Sequence, residues 1–299
     1  MGAGMPAGPD FVCVGAQKAG TQWLYDQLAW HPAFWMPPVK EFHYLDGGSF
    51  ARHRRSANSL RRRAALGLPL VNAVRERQSL RALTARDLAF LERYAALLAD
   101  ETVDLDGYAR LFAEKAGQIS GDITPGYARL GEDDVARFAR HFPATRVIYI
   151  ARDPVERLWS HLMMTARRNK SIGRITRERT LKFARRPMVR LRCTNTEVVR
   201  RWRTQVGAER FGLFVFDDIR DDPVAARRGI LAFLGADPEV ASGRLPPDFN
   251  RKSGERKLAM PDDIRAALVA EFATELRDSA AEFGGAAAGW LDRYGLAAG

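Results

Sequence analysis

The apolar run Phe11-Val-Cys-Val-Gly15 leads, through a short link holding a lysine and a second glycine, into the helical pattern Thr21-Gln-Trp-Leu-Tyr-Asp-Gln-Leu-Ala-Trp30. No other feature constrains the fold of this chain as strongly. A brief, uninterrupted apolar run ending in glycine suits a strand buried on both faces, and such strands belong to parallel sheets covered by helices. The unit recurs. Arg146–Ala151 (RVIYIA) precedes a helical pattern from Pro154 to Arg167, with proline in the first turn, where its missing N–H costs little. Phe211–Phe216 (FGLFVF) precedes a helix from about Pro223 to Leu234 that stops at Gly235. Strands alternating with helices predict an α/β fold with a mostly parallel sheet flanked by helices.

Residues from about 47 to 112 break that rhythm. Eleven arginines fall between Arg52 and Arg93, and Leu88, Leu91, Tyr94, Ala95 and Leu98 keep helical spacing. The segment reads as an arginine-rich helical insertion within a single domain spanning residues 1–299. A second basic stretch runs from Arg167 to Arg203. Both suit solvated helix faces, and with a net charge of +11 they also suit an anionic partner. A nucleic-acid-binding module is one such reading, but it expects aromatic rings among the arginines for stacking, and Arg52–Arg81 contain no Phe, Tyr or Trp.

Two cysteines, Cys13 in the first strand and Cys193 in the second basic stretch, predict no disulfide and a reducing compartment. Met1–Asp10 lacks the charged start and apolar core of a signal peptide, and no apolar run approaches the ~20 residues that span a bilayer. A cytoplasmic location is the expectation.

Three segments carry chemistry. Gly15-Ala-Gln-Lys18-Ala19-Gly20-Thr21-Gln22 links strand to helix, where open backbone N–H groups and the helix dipole favour an anion. It is not the triphosphate loop GxxxxGK[ST], because its lysine precedes the second glycine and the loop is shorter. An ATP-dependent kinase of that class is therefore the weaker enzyme reading. Arg152 follows the strand Arg146–Ala151, and Ser160 lies two turns down the next helix, so one phosphate could touch both. Between them in the chain, Lys40-Glu41-Phe42-His43-Tyr44-Leu45-Asp46 mixes ionisable residues with aromatics like a strand-like edge facing a cleft.

These segments resemble those of sulfotransferases that use PAPS (3′-phosphoadenosine-5′-phosphosulfate), particularly the branch that includes the heparan sulfate enzymes and many bacterial relatives. The likeness runs from about Pro9 to Leu234 and fades over the last fifty residues. It implies that Lys18 meets the bridging oxygen and 5′-phosphate of the donor, with Ala19, Gly20, Thr21 and Gln22 as cradle. Arg152-Asp-Pro154-Val-Glu-Arg157-Leu-Trp-Ser160 resembles the family's 3′-phosphate motif R-x-P-x-x-R-x-x-S, which places Arg152 and Ser160 on that phosphate. Lys40, Glu41, His43 and Asp46 match a K-E-x-H-x-x-D segment whose glutamate is the expected base, so Glu41 takes that role and His43 is the runner-up. Gly121-Asp-Ile-Thr124-Pro125-Gly-Tyr127 is similar to a short G-x-x-[ST]-P-x-Y segment near the acceptor. The basic loop Phe249–Lys257 lies where the family closes over the donor, with Arg251, Lys252 and Arg256 as further 3′-phosphate candidates. The resemblance implies sulfuryl transfer from PAPS, without a metal, to a hydroxyl or amine of a glycan, a glycolipid or another polar or anionic metabolite. The insertion is expected to wall the acceptor side.

Overall fold

The computed structural model describes residues 8–48, 50–243, 245–249 and 258–297. Four strands, β1 (Phe11–Gly15), β2 (Gly121–Ile123), β3 (Arg146–Ala151) and β4 (Phe211–Val215), pair in the order β2-β1-β3-β4, all parallel. Phe11 stands opposite both Gly121 and Arg146, and Val147 opposite Phe211. Every residue of β1 is buried, as a strand covered on both faces requires. The fold is α/β, with helices flanking a parallel sheet.

The chain runs from β1 to β2 on one side and later enters β3 on the other side of β1. Strand order therefore reverses between β1 and β3. In open parallel sheets, the crevice outside the carboxyl ends of strands at such a reversal is where ligands bind. The links leaving β1 and β3 are the two segments that sequence reading picked out for phosphate.

The first six helices are α1 (Thr21–Ala29), α2 (Phe50–Arg77), α3 (Ala85–Leu97), α4 (Leu105–Arg110), α5 (Glu132–His141) and α6 (Pro154–Arg168). The insertion is helical as expected. It is held by a kink and a buried aromatic cluster. α2 loses helical geometry at Gly67, two residues before Pro69. From α3, α4 and the turn just after α4, Phe90, Tyr94, Tyr108 and Phe112 all pack against Phe42, with ring centroids 5.2–6.4 Å apart. Phe42 belongs to the 40–46 segment, as does Tyr44, whose ring packs against Phe50 and Tyr108, so the insertion grips that segment through both rings.

Asp153 caps α6, accepting from the backbone N–H of Val155 and Glu156. Its other oxygen accepts from Arg293 (2.8 Å) and Tyr294 (2.7 Å) of the last helix, Gly285–Tyr294. The C-terminal fifty residues, where the family likeness fades, thus pin the start of the helix that carries Ser160.

Many arginines of the basic stretches are engaged. Arg81 makes a two-pronged contact to the fully buried Asp87 (2.9 and 2.6 Å), Arg185 and Arg190 share Glu271, and Arg200 meets Glu282. Among the described residues, no helix is long and apolar enough to cross a membrane.

Candidate active site

The link after β1 begins in the sheet and then turns out of it. Ala16 N–H still bonds to the Ile150 carbonyl of β3 at 2.9 Å, after which Lys18 and Gly20 take left-handed backbone conformations with φ of +73° and +82°. Gly20 is required on two counts. Its φ disfavours a side chain, and a Cβ would sit 3.0 Å from the Phe216 ring. α1 opens without a side-chain cap and without an acidic residue in its first turn, so its N-terminal N–H groups and dipole are open to an anion. Ala19 is fully buried, while Gln22 spends its amide on Asp26 at 3.0 Å.

Arg152 joins the link after β1 to the segment after β3, the two segments expected to meet phosphate. Its guanidinium lies over the Phe216 ring, 4.5 Å from the centroid, and donates to the Lys18 carbonyl. Its Nε is buried without a partner, and burial holds its pKa below the usual range. A buried guanidinium with a spare donor at the end of β3 fits an anionic group. Ser160 stands on α6, partly exposed. Lys18 Nζ lies 3.9 Å from Met164 Sδ, one turn beyond Ser160. Arg251, Lys252 and Arg256, the further 3′-phosphate candidates, lie outside the described residues. The flanking Pro247 and Leu258 carbonyls accept from Trp23 of α1 and Trp159 of α6.

The 40–46 segment is not the strand-like edge that its alternating residues suggest. It runs irregularly into a turn at Tyr44–Gly47, and Glu41 and His43 have positive φ, +63° and +53°. Phe42 explains the departure. Its ring is buried against the insertion and its carbonyl accepts from Tyr94 Oη at 2.7 Å, so the chain kinks on both sides to leave Glu41 and His43 in the cleft. Three of the seven described non-glycine residues with positive φ are Lys18, Glu41 and His43. Strained backbone of this kind persists where the surroundings impose it, and it gathers at functional sites.

Charge around the segment forms a chain. Lys40 Nζ reaches Thr21 Oγ1 (3.4 Å) and Glu41 Oε1 (2.8 Å), which ties this segment to the first turn of α1. His43 Nε2 faces Glu41, His43 Nδ1 bonds Asp46, and Asp46 Oδ2 accepts from Arg129 at 3.0 Å. Burial opposes ionisation of Glu41, but its bonds and charge contacts with His43 and Lys40 outweigh that and hold its pKa at about 2. Burial likewise disfavours a charged His43, yet Asp46 and Glu41 raise it to about 9. At neutral pH, Glu41 is a carboxylate and His43 an imidazolium.

Sequence reasoning missed the support beneath. Thr124 and Tyr127 are fully buried: both donate to Asp122, at 2.7 Å each, while Tyr127 Oη accepts from the backbone N–H of Tyr44 and Leu45. Asp122 is itself buried, and desolvation pushes its pKa up to about 6. A Cβ on Gly126 would lie 2.6 Å from Asp46 Oδ2 and 2.8 Å from His43 Cε1, so only glycine lets the two segments meet. Arg129 and His53, whose ring lies tilted 5.2 Å from His43, carried no signal beyond residue type.

A model described as "Sulfotransferase family" matches residues 9–239. The chain belongs to the sulfotransferase family. It is a transferase whose fold is shared with solved structures of low identity. A sulfotransferase from Alicyclobacillus acidocaldarius is 22% identical with a TM-score of 0.59, covering 92% of this chain and 96% of that one. The sulfotransferase domain from the curacin biosynthetic pathway is 17% identical with a TM-score of 0.52, covering 87% and 82%. No curated protein matches by sequence. Among the described residues, no group of His, Cys, Asp and Glu is arranged to hold a metal ion.

Proposed function

We propose that this sulfotransferase uses PAPS as donor and moves its sulfuryl group to a hydroxyl or amine of a polar acceptor such as a glycan, a glycolipid or a polar metabolite. The observation that carries this reading is the bond from Arg152 to the Lys18 carbonyl at the β1/β3 reversal, which makes one crevice of two phosphate motifs. The donor supplies an activated sulfuryl group and a phosphate leaving group. Open N–H groups at α1, with Gly20 and Thr21, would hold the 5′-phosphate. Arg152 and Ser160 would hold the 3′-phosphate, away from the chemistry.

Sulfuryl transfer is taken to follow the logic of phosphoryl transfer, with in-line attack and charge growing on the leaving oxygen. Lys18 would neutralise that charge. Glu41, ionised at neutral pH, would accept the acceptor's proton as attack proceeds. His43, held in its charged form by Asp46 and Glu41, would fix Glu41 from one side while Lys40 does so from the other, and it stays the runner-up for the base.

Thermal melting tests the donor assignment. The product 3′,5′-ADP should raise the melting temperature by binding the native state, and ATP or 5′-AMP should do so far less. Equal shifts with ATP and 3′,5′-ADP would overturn the assignment.

A further inference from the structure

Cationic side chains from three separate segments gather near Lys18 and Asp46 with donors left over. Arg157 and His161 stand one turn apart on α6, and Met164, on the same face one turn further, touches Lys18. Arg157 is fully buried. Its Nε and one terminal nitrogen both point at Cys193 Sγ (3.2 and 3.0 Å), and the other terminal nitrogen has no partner. His161 is 7% exposed, and its Nδ1 is buried without a partner. Arg192 precedes Cys193, the residue that Arg157 touches. Arg129 binds Asp46 and keeps its Nε buried without a partner.

Among the described residues, the charges in contact here do not balance. Burial holds the Cys193 thiol above its usual pKa, so it is neutral and a weak acceptor that leaves Arg157 uncompensated. His161 is pushed down to about 3 by burial and then by Arg157, Arg192, Lys18 and Arg168, so it is neutral too. Arg192 is held below its usual range by burial and by Arg129 and Arg157. Among the described residues, Asp46 pairs with Arg129 and is shared with His43, while Glu275 acts on Cys193. A buried guanidinium held against a neutral thiol, with further half-buried guanidiniums nearby, is costly unless an anion completes the site. Each unsatisfied buried donor calls for a partner.

We propose that Arg157, His161, Arg192 and Arg129 form a pocket for a carboxylate or phosphate-ester group carried by the acceptor. This rests on reading the adjoining crevice as the donor site. Arg129 and Arg192 lie in neither phosphate segment and reach the cleft from the side of Asp46 and His43, where the acceptor must enter to meet Glu41. Two neighbouring guanidiniums suit two-pronged binding of a planar carboxylate or a phosphate.

The test uses full-length enzyme saturated with 3′,5′-ADP and two matched probe pairs at equal ionic strength: methyl glucoside against methyl glucuronoside, and glycerol against glycerol 3-phosphate. The anionic member of at least one pair should add about 2–4 °C to the melting temperature at ten times its dissociation constant, and the neutral member nothing. Which pair responds tells carboxylate from phosphate ester. Arg192→Glu should abolish that increment and keep the shift from 3′,5′-ADP, while Arg140→Glu, an equal charge change on the exposed face of α5, should keep both. Equal shifts within both pairs, or an increment that survives Arg192→Glu or is lost equally in Arg140→Glu, would overturn the pocket. If 3′,5′-ADP itself gave no shift, the donor reading would fail, and the same probe pairs on ligand-free enzyme would still decide the pocket.

Discussion

His43 Nε2 lies 3.6 Å from Glu41 Oε2 while its Nδ1 lies 2.9 Å from Asp46 Oδ2, so one imidazole bridges two carboxylates. This bridge fixes the protonation of the cleft: a glutamate that stays ionised down to about pH 2 and a histidine that stays charged up to about pH 9.

Glu41→Gln should therefore lower turnover by ~10²–10⁴, the usual cost of removing a general base, and leave 3′,5′-ADP binding intact. His43→Ala should lose less. The pH profile separates the two. With Glu41 as base, turnover should be level from about pH 5 to 8 and decline as His43 loses its proton through about pH 9. A neutral His43 base would instead make turnover climb through that same range.

Stability should follow the same titration. The folded-state pKa of His43 is raised above its unfolded value of about 6.5, so its contribution is fully present below pH 6.5 and is lost as pH rises through about 9. Glu41 is depressed, so its contribution is present above about pH 4.5 and lost only near pH 2. The melting temperature should fall between pH 7 and 10, and His43→Gln should flatten that fall.

Lys18→Ala should reduce turnover by roughly a hundredfold, because charge on the leaving oxygen is greater in the transition state than in the bound donor. Donor binding, followed by calorimetry with 3′,5′-ADP, should weaken less. Full turnover at saturating donor would leave Lys18 as part of the cradle alone.

Gly126→Ala tests the meeting of the two segments. The added methyl must displace Asp46 or the His43 ring, so turnover should drop while stability falls by about 1–3 kcal/mol, a typical cost of overpacking. Unchanged activity would mean that the bridge tolerates movement.

Arg81→Ala leaves Asp87 buried and unpaired beneath Trp35, whose Nε1 donates to it at 3.1 Å. Loss of one partner of a buried pair costs about 3–5 kcal/mol, so the melting temperature should fall by roughly 10 °C. A fall of a degree or two would return Arg81 to the solvated class that sequence reading allowed for the whole insertion.

By itself the sequence determined whatever depends on neighbours in the chain: the strand-link-helix units, the proline start of α6, the glycine stop after Leu234, and the place of the two links that leave β1 and β3. Apolar period and capping residues act over a few positions, so they are written in order along the chain. The tertiary structure decided the rest. Lys40-Glu41-Phe42-His43 alternates like a strand, and it became a kinked ledge because Phe42 found a cluster of rings supplied by α3, α4 and the turn just after α4, far along the chain. The arginines looked alike in sequence, yet Arg81 is locked to Asp87, Arg129 braces Asp46 and Arg157 ends against a thiol. A guanidinium is the same donor everywhere, and what it does is set by the partners that folding brings to it.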